Sequence, residues 1–238
     1  MAGRYWSRGA GVLALLLAGA AGPLRADCRL ALVLAFDVSR SIDSNDYALQ
    51  RAGLLAALAD PVIRDAFLGP PDHVALAIFE WSSRNHQRIV VGWTEIRAAA
   101  DIDAVAARLA AHQRNTNGSL TALGRAVIFG RDLMQTAPDC VAQVLDVSGD
   151  GRNNDGIDPT AAYLTSAFGA LRINGLAIRT YERDVAEYYR SRVIRGPGAF
   201  VEVAEGQKAF PHAIRRKLLR ELTDPVIGLG PGTAAPGG

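Results

Sequence analysis

Residues 32–44 read L-V-L-A-F-D-V-S-R-S-I-D-S. An unbroken apolar run ends on an acid, and two hydroxyls follow at alternate positions, Ser39 and Ser41. A segment apolar at every position, here residues 30–36, is the pattern of a strand covered on both faces, as in parallel sheets flanked by helices. Asp37 then stands at the carboxyl end of that strand. In open α/β sheets this end is where ligands bind, beside the point at which the strand order reverses. Two readings of Asp37 and Ser39 follow. They cap the next helix, a common role of Asp and Ser, or they bind something.

The rest of the chain continues the alternation. Helical periodicity over 43–59 (Tyr47, Leu54, Leu55, Leu58), with Ser44 as a cap, ends at Pro61. Residues 73–81 and 88–93 read as strands close enough for a hairpin. Helices follow over 101–112 and 120–135, the second after a polar turn at 115–119. A fourth strand spans 140–147. Asp158 and Pro159 open a helix over 159–171. A fifth strand (173–178), a short helix (183–192), a sixth strand (199–203) and a last helix (207–222) complete the pattern. The expected fold class is α/β: a doubly wound, mostly parallel six-stranded sheet with helices on both faces and one antiparallel edge strand.

The two ends are set apart from this domain. Arg4 and Arg8 precede an apolar run over 10–21, then Gly22, Pro23 and Leu24-Arg25-Ala26. This is the layout of a secretory signal over residues 1–26, and the run is short for a membrane span. The mature chain is thus expected to carry no transmembrane segment and to be exported, to the periplasm in a Gram-negative organism. The domain is placed at 27–222. The tail 223–238, rich in Gly and Pro, reads as disordered. Removing Arg4, Arg8 and Arg25 takes the formal charge from +2 to −1, which gives no electrostatic footprint for nucleic acid or a membrane surface.

Two cysteines occupy similar positions, Cys28 nine residues before Asp37 and Cys140 ten before Asp150. If their strands are parallel neighbours, the thiols lie at nearly one depth and within reach of a bridge, which an exported chain retains. Two free thiols are the alternative. Within the fourth strand, Asp146 shares a face with Ser148 and Asp150. It reads as a buried acid met by a backbone or Arg donor, or as an acceptor behind the site. The basic cluster Arg215, Arg216, Lys217 and Arg220 reads as a solvated face.

Three loops carry the candidate chemistry: Asp37-Val38-Ser39-Arg40-Ser41, the stretch from Ser119 to Gly124 that includes Thr121, and Ser148-Gly149-Asp150-Gly151. Asp37 and Asp150 offer two carboxylates, and Ser39, Ser41 and Thr121 offer three hydroxyls. An all-oxygen set suits Mg²⁺, Ca²⁺ or Mn²⁺ and not zinc. Two Asp charges balance one divalent ion, and neutral hydroxyls leave it able to take one more anionic oxygen. Asn153, Asn154 and Asp155 read as turn formers.

D-V-S-R-S, Thr121 ahead of G-R-A-V, and S-G-D-G after an apolar strand together resemble the von Willebrand factor A domain and its metal-ion-dependent adhesion site. The likeness covers roughly residues 30–222. More closely, C-R-L-A-L-V-L-A-F-D-V-S, V-L-D-V-S-G-D-G-R-N-N, I-N-G-L-A-I and G-P-G-A-F-V resemble the bacterial DUF1194 family. The resemblance implies that Asp37, Ser39, Ser41, Thr121 and Asp150 hold a divalent cation, Mg²⁺ first among candidates, directly or through water. It also implies a protein partner that presents Asp or Glu to complete the shell. Arg40 stands where Gly is frequent in that motif, and Ser119-Leu120 replaces a usual Gly-Gly.

An enzyme is the rival class. A haloacid-dehalogenase-like phosphatase also places an Asp after the first strand, but needs a second Asp two residues on, where this chain has Ser39. It also needs a Lys before its last acidic motif, and the only lysines, Lys208 and Lys217, follow it. No G-x-S-x-G elbow is present. His73, His86, His112 and His212 lack ligand spacing and read as surface or capping residues. Arg152 breaks an EF-hand reading of residues 150–155. No catalysis is assigned. The expectation is an acidic-group-binding module, with a metal-independent interaction domain as the alternative.

Overall fold

The computed structural model describes residues 1, 3, 27–114 and 120–224. The signal expected over 1–26, apart from residues 1 and 3, lies outside the described residues. So do Ser119 with the turn at 115–119, and the tail beyond 224. The sheet has six strands: β1 (Cys28–Asp37), β2 (His73–Trp81), β3 (Gln87–Ile96), β4 (Cys140–Gly149), β5 (Arg172–Ile178) and β6 (Val201–Ala204), in the order β3-β2-β1-β4-β5-β6. Only β3 runs antiparallel, paired to β2. The expected doubly wound sheet is therefore present.

Every residue of β1 is buried, because β1 pairs in parallel with β2 on one side and β4 on the other. Its two faces feed two cores. Leu30, Leu32, Leu34 and Phe36 pack with α1 (Ser44–Ala59), α2 (Pro61–Leu68), α3 (Ala99–Ala111) and α7 (Phe210–Thr223). Ala31, Val33 and Ala35 pack with α4 (Leu123–Met134), α5 (Pro159–Thr165) and α6 (Val185–Tyr188). The strand order reverses at β1, so the switch point lies between the carboxyl ends of β1 and β4. Asp37 ends β1, and Asp150 follows the last residue of β4.

Cys28 pairs directly with Cys140 across β1 and β4, and the two form a disulfide with Cα atoms 4.5 Å apart. Free thiols are excluded, since no described cysteine is unpaired. The bridge closes a loop of sequence separation 112, worth roughly 4–5 kcal/mol in the chain-entropy account.

Several elements differ from expectation for local reasons. Asp43, not Ser44, caps α1, accepting from the backbone N–H groups of Asn45 and Asp46. Pro61 ends α1 and also opens α2, capped by Asp60. The helix from Pro159 stops at Thr165, where Ser166 is extended. The helix expected over 183–192 is a single α turn, α6, followed by a π-helical turn, Tyr189–Val193. His73 is buried, and His112 lies 3.0 Å from Glu80, so neither is a free surface residue.

The largest correction concerns α7. Lys217 is not on a solvated face. It is fully buried, with Nζ 2.9 Å from Asp146 Oδ1 and donating to Glu221 Oε1 at 2.6 Å. Asn174 Nδ2 donates to the same Glu221 oxygen at 2.8 Å. Asp146 is thus met by a lysine, not by an arginine or the backbone. Burial raises its carboxyl to about 8, with Lys217 pulling the other way. The helical period explains the placement: Phe210, Ala213, Ile214, Lys217, Leu218 and Glu221 form the inward stripe. Arg215 and Arg216 face outward, to Asp60 and Glu202.

Removing one member of a buried ion cluster leaves its partners uncompensated, at a cost of about 3–5 kcal/mol, whereas an exposed pair contributes about 1 kcal/mol or less. Lys217→Met is therefore expected to lower unfolding free energy several-fold more than Arg216→Met in urea titrations. Equal losses would contradict the placement of Lys217.

Candidate functional site

The first loop leaves β1 still tied to β2, since Val38 N–H donates to the Trp81 carbonyl at 2.8 Å. The chain then turns over the Asp37 side chain, whose Oδ1 accepts from Ser39 N–H at 2.7 Å. Arg114 reaches across and donates through Nη2 to the carbonyls of Val38 (3.1 Å), Ser39 (3.3 Å) and Ile42. Its guanidinium lies 5.5 Å from the centre of the Tyr47 ring, and the Tyr47 hydroxyl donates to buried Glu80. Arg114 thus holds the loop by its backbone carbonyls and not by the side chains of Ser39 and Ser41.

The second and third loops are fastened to each other. Asn154 Oδ1 accepts from Thr121 N–H at 2.7 Å, and the Thr121 carbonyl accepts from the N–H groups of Asn154 and Asp155. Asn153 Oδ1 accepts from Gly124 N–H. Gly124 must be glycine, because a Cβ there would lie 2.0 Å from the Ile157 carbonyl oxygen. Asp155 accepts from the backbone and side chain of Arg84, and those bonds hold its carboxyl below the usual range. Of the residues read as turn formers, Asn153 and Asn154 thus join the two loops through their side chains, and the Asp155 side chain ties the third loop to Arg84.

The structure brings four of the five candidate ligands into one hydrogen-bonded chain. Ser41 Oγ donates to Asp150 Oδ1 at 2.6 Å, Ser39 Oγ and Ser41 Oγ are 3.2 Å apart, and Ser39 N–H closes on Asp37. Thr121, also buried, places its Oγ1 3.8 Å from where a Cβ on Gly151 would stand, beside Asp150. Arg40 is exposed.

Two oxygens stand out. Asp37 Oδ2 and Asp150 Oδ2 are buried, and neither has a hydrogen-bond partner among the described residues. Burial pushes the Asp37 carboxyl up to about 8, and the charge of Asp150 adds to the shift. Burial likewise raises Asp150, to about 6, against the bond from Ser41. An unpaired buried carboxylate oxygen costs free energy that a proton or a cation relieves. Among the described residues no three His, Cys, Asp or Glu side chains converge as a metal cluster. A cation here would rest on two carboxylates with flanking hydroxyls, and the oxygens left without partners fit that role.

Supporting residues were not foreseen from the sequence. Arg114 acts on the first loop from a distant position, and Glu80 accepts from the Tyr47 hydroxyl, whose ring lies beside the Arg114 guanidinium. Tyr189 is fully buried, with a hydroxyl that lacks a hydrogen-bond partner among the described residues. Burial and the nearby Asp37 carboxyl hold that phenol well above its ordinary range.

Comparison with solved structures defines the class. A von Willebrand factor type A protein from Catenulispora acidiphila matches with a TM-score of 0.57 at 16% identity, over 82% of this chain and 43% of that one. Proximal thread matrix protein 1 from the mussel byssus matches in a form with a zinc-occupied MIDAS motif, with a TM-score of 0.57 at 14% identity, over 82% and 46%. The pilus adhesin SpaC from Lactobacillus rhamnosus GG, in an open conformation, gives 0.56 at 13%, over 81% and 30%. The chain spans less than half the length of these proteins. Its fold is that of a von Willebrand factor A domain. The chain belongs to the family described as "Protein of unknown function (DUF1194)", whose family model matches residues 27–226. No curated protein matches it.

The raised carboxyls fix a pH dependence. A folded-state pKa above the ordinary 3.8 means that the folded chain holds protons that the unfolded chain has released. Unfolding free energy therefore falls as pH rises from about 4 to about 8. In EDTA, the melting temperature is expected to fall between pH 5.5 and 8, and Asp37→Asn is expected to flatten the fall. A parent and variant with parallel profiles would refute this.

Proposed function

We propose that this chain is an exported, non-enzymatic interaction module. It holds a divalent cation between Asp37 and Asp150, with Ser39, Ser41 and Thr121 contributing hydroxyls directly or through water. When bound, the cation supplies a positive centre that takes an Asp or Glu carboxylate from a protein partner. The observation that carries this reading is the pair of buried oxygens at the switch point of the sheet, Asp37 Oδ2 and Asp150 Oδ2, which have no hydrogen-bond partner among the described residues. With no nitrogen or sulfur donor in the set, Mg²⁺ is favoured, then Ca²⁺ or Mn²⁺.

Three further observations support the reading. The three loops are fixed by Arg114, Asn153, Asn154 and Asp155 before any ligand arrives. Such preorganisation lowers the ordering cost of binding. Exposed Arg40 adds a positive charge for an acidic partner. The signal-like leader and the Cys28–Cys140 disulfide support export. Among the described residues no helix is long and apolar enough to cross a membrane.

The test is calorimetric and thermal titration with Mg²⁺, Ca²⁺, Mn²⁺ and Zn²⁺, comparing the parent with an Asp37→Asn, Asp150→Asn double variant. The parent is expected to bind one ion saturably, with a gain of about 2.7 kcal/mol at a hundredfold excess over Kd. The double variant is expected to gain nothing. A Glu-bearing peptide should then bind the parent only with the cation present. Absence of binding at millimolar ion would reject the cation site and leave a metal-independent interaction domain.

A further inference from the structure

Tyr189 occupies a place that two strands clear for it. A Cβ on Gly175 of β5 would lie 2.7 Å from Tyr189 Cδ1, inside the ring's contact distance. A Cβ on Gly149 of β4 would lie 2.6 Å from the Tyr189 hydroxyl and 2.9 Å from Asp37 Oδ2. The absence of both side chains lets the phenol pack against the sheet with its hydroxyl near the Asp37 carboxylate. The helix preceding this point contributes as well. The turn Tyr189–Val193 is π-helical, closed by Ile194 N–H donating to the Tyr189 carbonyl at 3.0 Å. π-turns recur at functional sites. Tyr188, its neighbour, points elsewhere, donating to Asp158 Oδ2 at 3.2 Å.

Two buried polar atoms without hydrogen-bond partners among the described residues thus flank one point, and they are complementary. The phenol is a donor. Asp37 Oδ2 is an acceptor, while Oδ1 is already engaged by Ser39 N–H. A carboxylate has about four lone-pair sites on its two oxygens, so a bond to Tyr189 leaves room for a cation. We propose that Tyr189 is the positioning residue for Asp37: its hydroxyl donates to Oδ2, directly or through one water, and fixes the carboxylate's orientation for the cation. This inference rests on the cation-site reading above.

Tyr189→Phe keeps the ring against Gly175 and removes only the hydroxyl. Outer-shell partners of metal ligands are typically worth 10–100-fold in affinity. Mn²⁺ calorimetry is expected to show binding weakened by about 10–100-fold in the variant, with melting in EDTA close to the parent's. In the metal-free parent, proton NMR is expected to show a downfield hydroxyl resonance that is absent from Tyr189→Phe and displaced in Asp37→Asn. Equal Mn²⁺ affinity in parent and Tyr189→Phe would overturn the positioning role and leave the cation site standing. A parent that binds no cation would remove both. A metal-free parent without a hydroxyl resonance that responds to Asp37→Asn would overturn the contact itself.

Discussion

Two acids of like charge are buried at the point where the sheet changes direction, and the local architecture is arranged around that constraint. β1 lies between two parallel neighbours, so its last residue, Asp37, is inside the protein as soon as the strand ends. β4 delivers Asp150 to the same place. Low dielectric and mutual repulsion both oppose ionisation of the pair. The response of the fold is partial. Asp37 Oδ1 receives a backbone N–H and Asp150 Oδ1 receives Ser41, while among the described residues no cationic side chain pairs with either Oδ2. A site built to be neutral within itself would pair those oxygens as well.

The Lys217 cluster shows that this chain does pair buried acids elsewhere. Asp146 lies on the same strand as the site, four residues before Asp150, and is equally buried. There the sequence supplies a lysine from α7, a second acid, Glu221, and the Asn174 amide, whose oxygen accepts from Phe200 N–H. The Phe200 ring lies 4.7 Å from Lys217 Nζ. One cluster is furnished with a cation from the chain and ties a helix to the sheet. The other has no comparable lysine. One buried acid cluster carries a cation from the chain and the other does not, and that difference is in keeping with the proposed cation site.

The strands were legible because a doubly covered strand must be apolar at nearly every position. β2 spans the residues expected, His73–Trp81. The candidate ligands were legible because Asp37, Ser39 and Ser41 are adjacent, and because an acid after an apolar run is costly unless it has a partner. Less legible were features set by long-range contact. Asp43 and Ser44 are both good caps, and only the backbone geometry chooses between them. Lys217 sits in a basic run whose composition reads as surface. The apolar stripe on either side of it was the available signal that one of those charges faces inward. Arg114 and Tyr189 carry no local mark. Their roles depend on which carbonyls and which glycines the fold brings near.

The remaining support acts on geometry more than on charge. The disulfide joins β1 and β4 at their amino ends, one strand length from the site, and fixes the register of the two strands that carry the acids. A one-residue slip between them would carry alternate side chains to the wrong face, and Asp150 would no longer meet Ser41. At the carboxyl ends, Arg114 binds the first loop by its carbonyls, and Asn154 and Asp155 bind the second loop and the Arg84 turn to the third. The fastenings by Arg114 and Asn154 use the backbone of a candidate ligand's loop and spare the ligand's side chain. The rigid parts of this site are therefore the peptide groups. What they hold in place is a small set of oxygens, linked from Ser39 through Ser41 to Asp150.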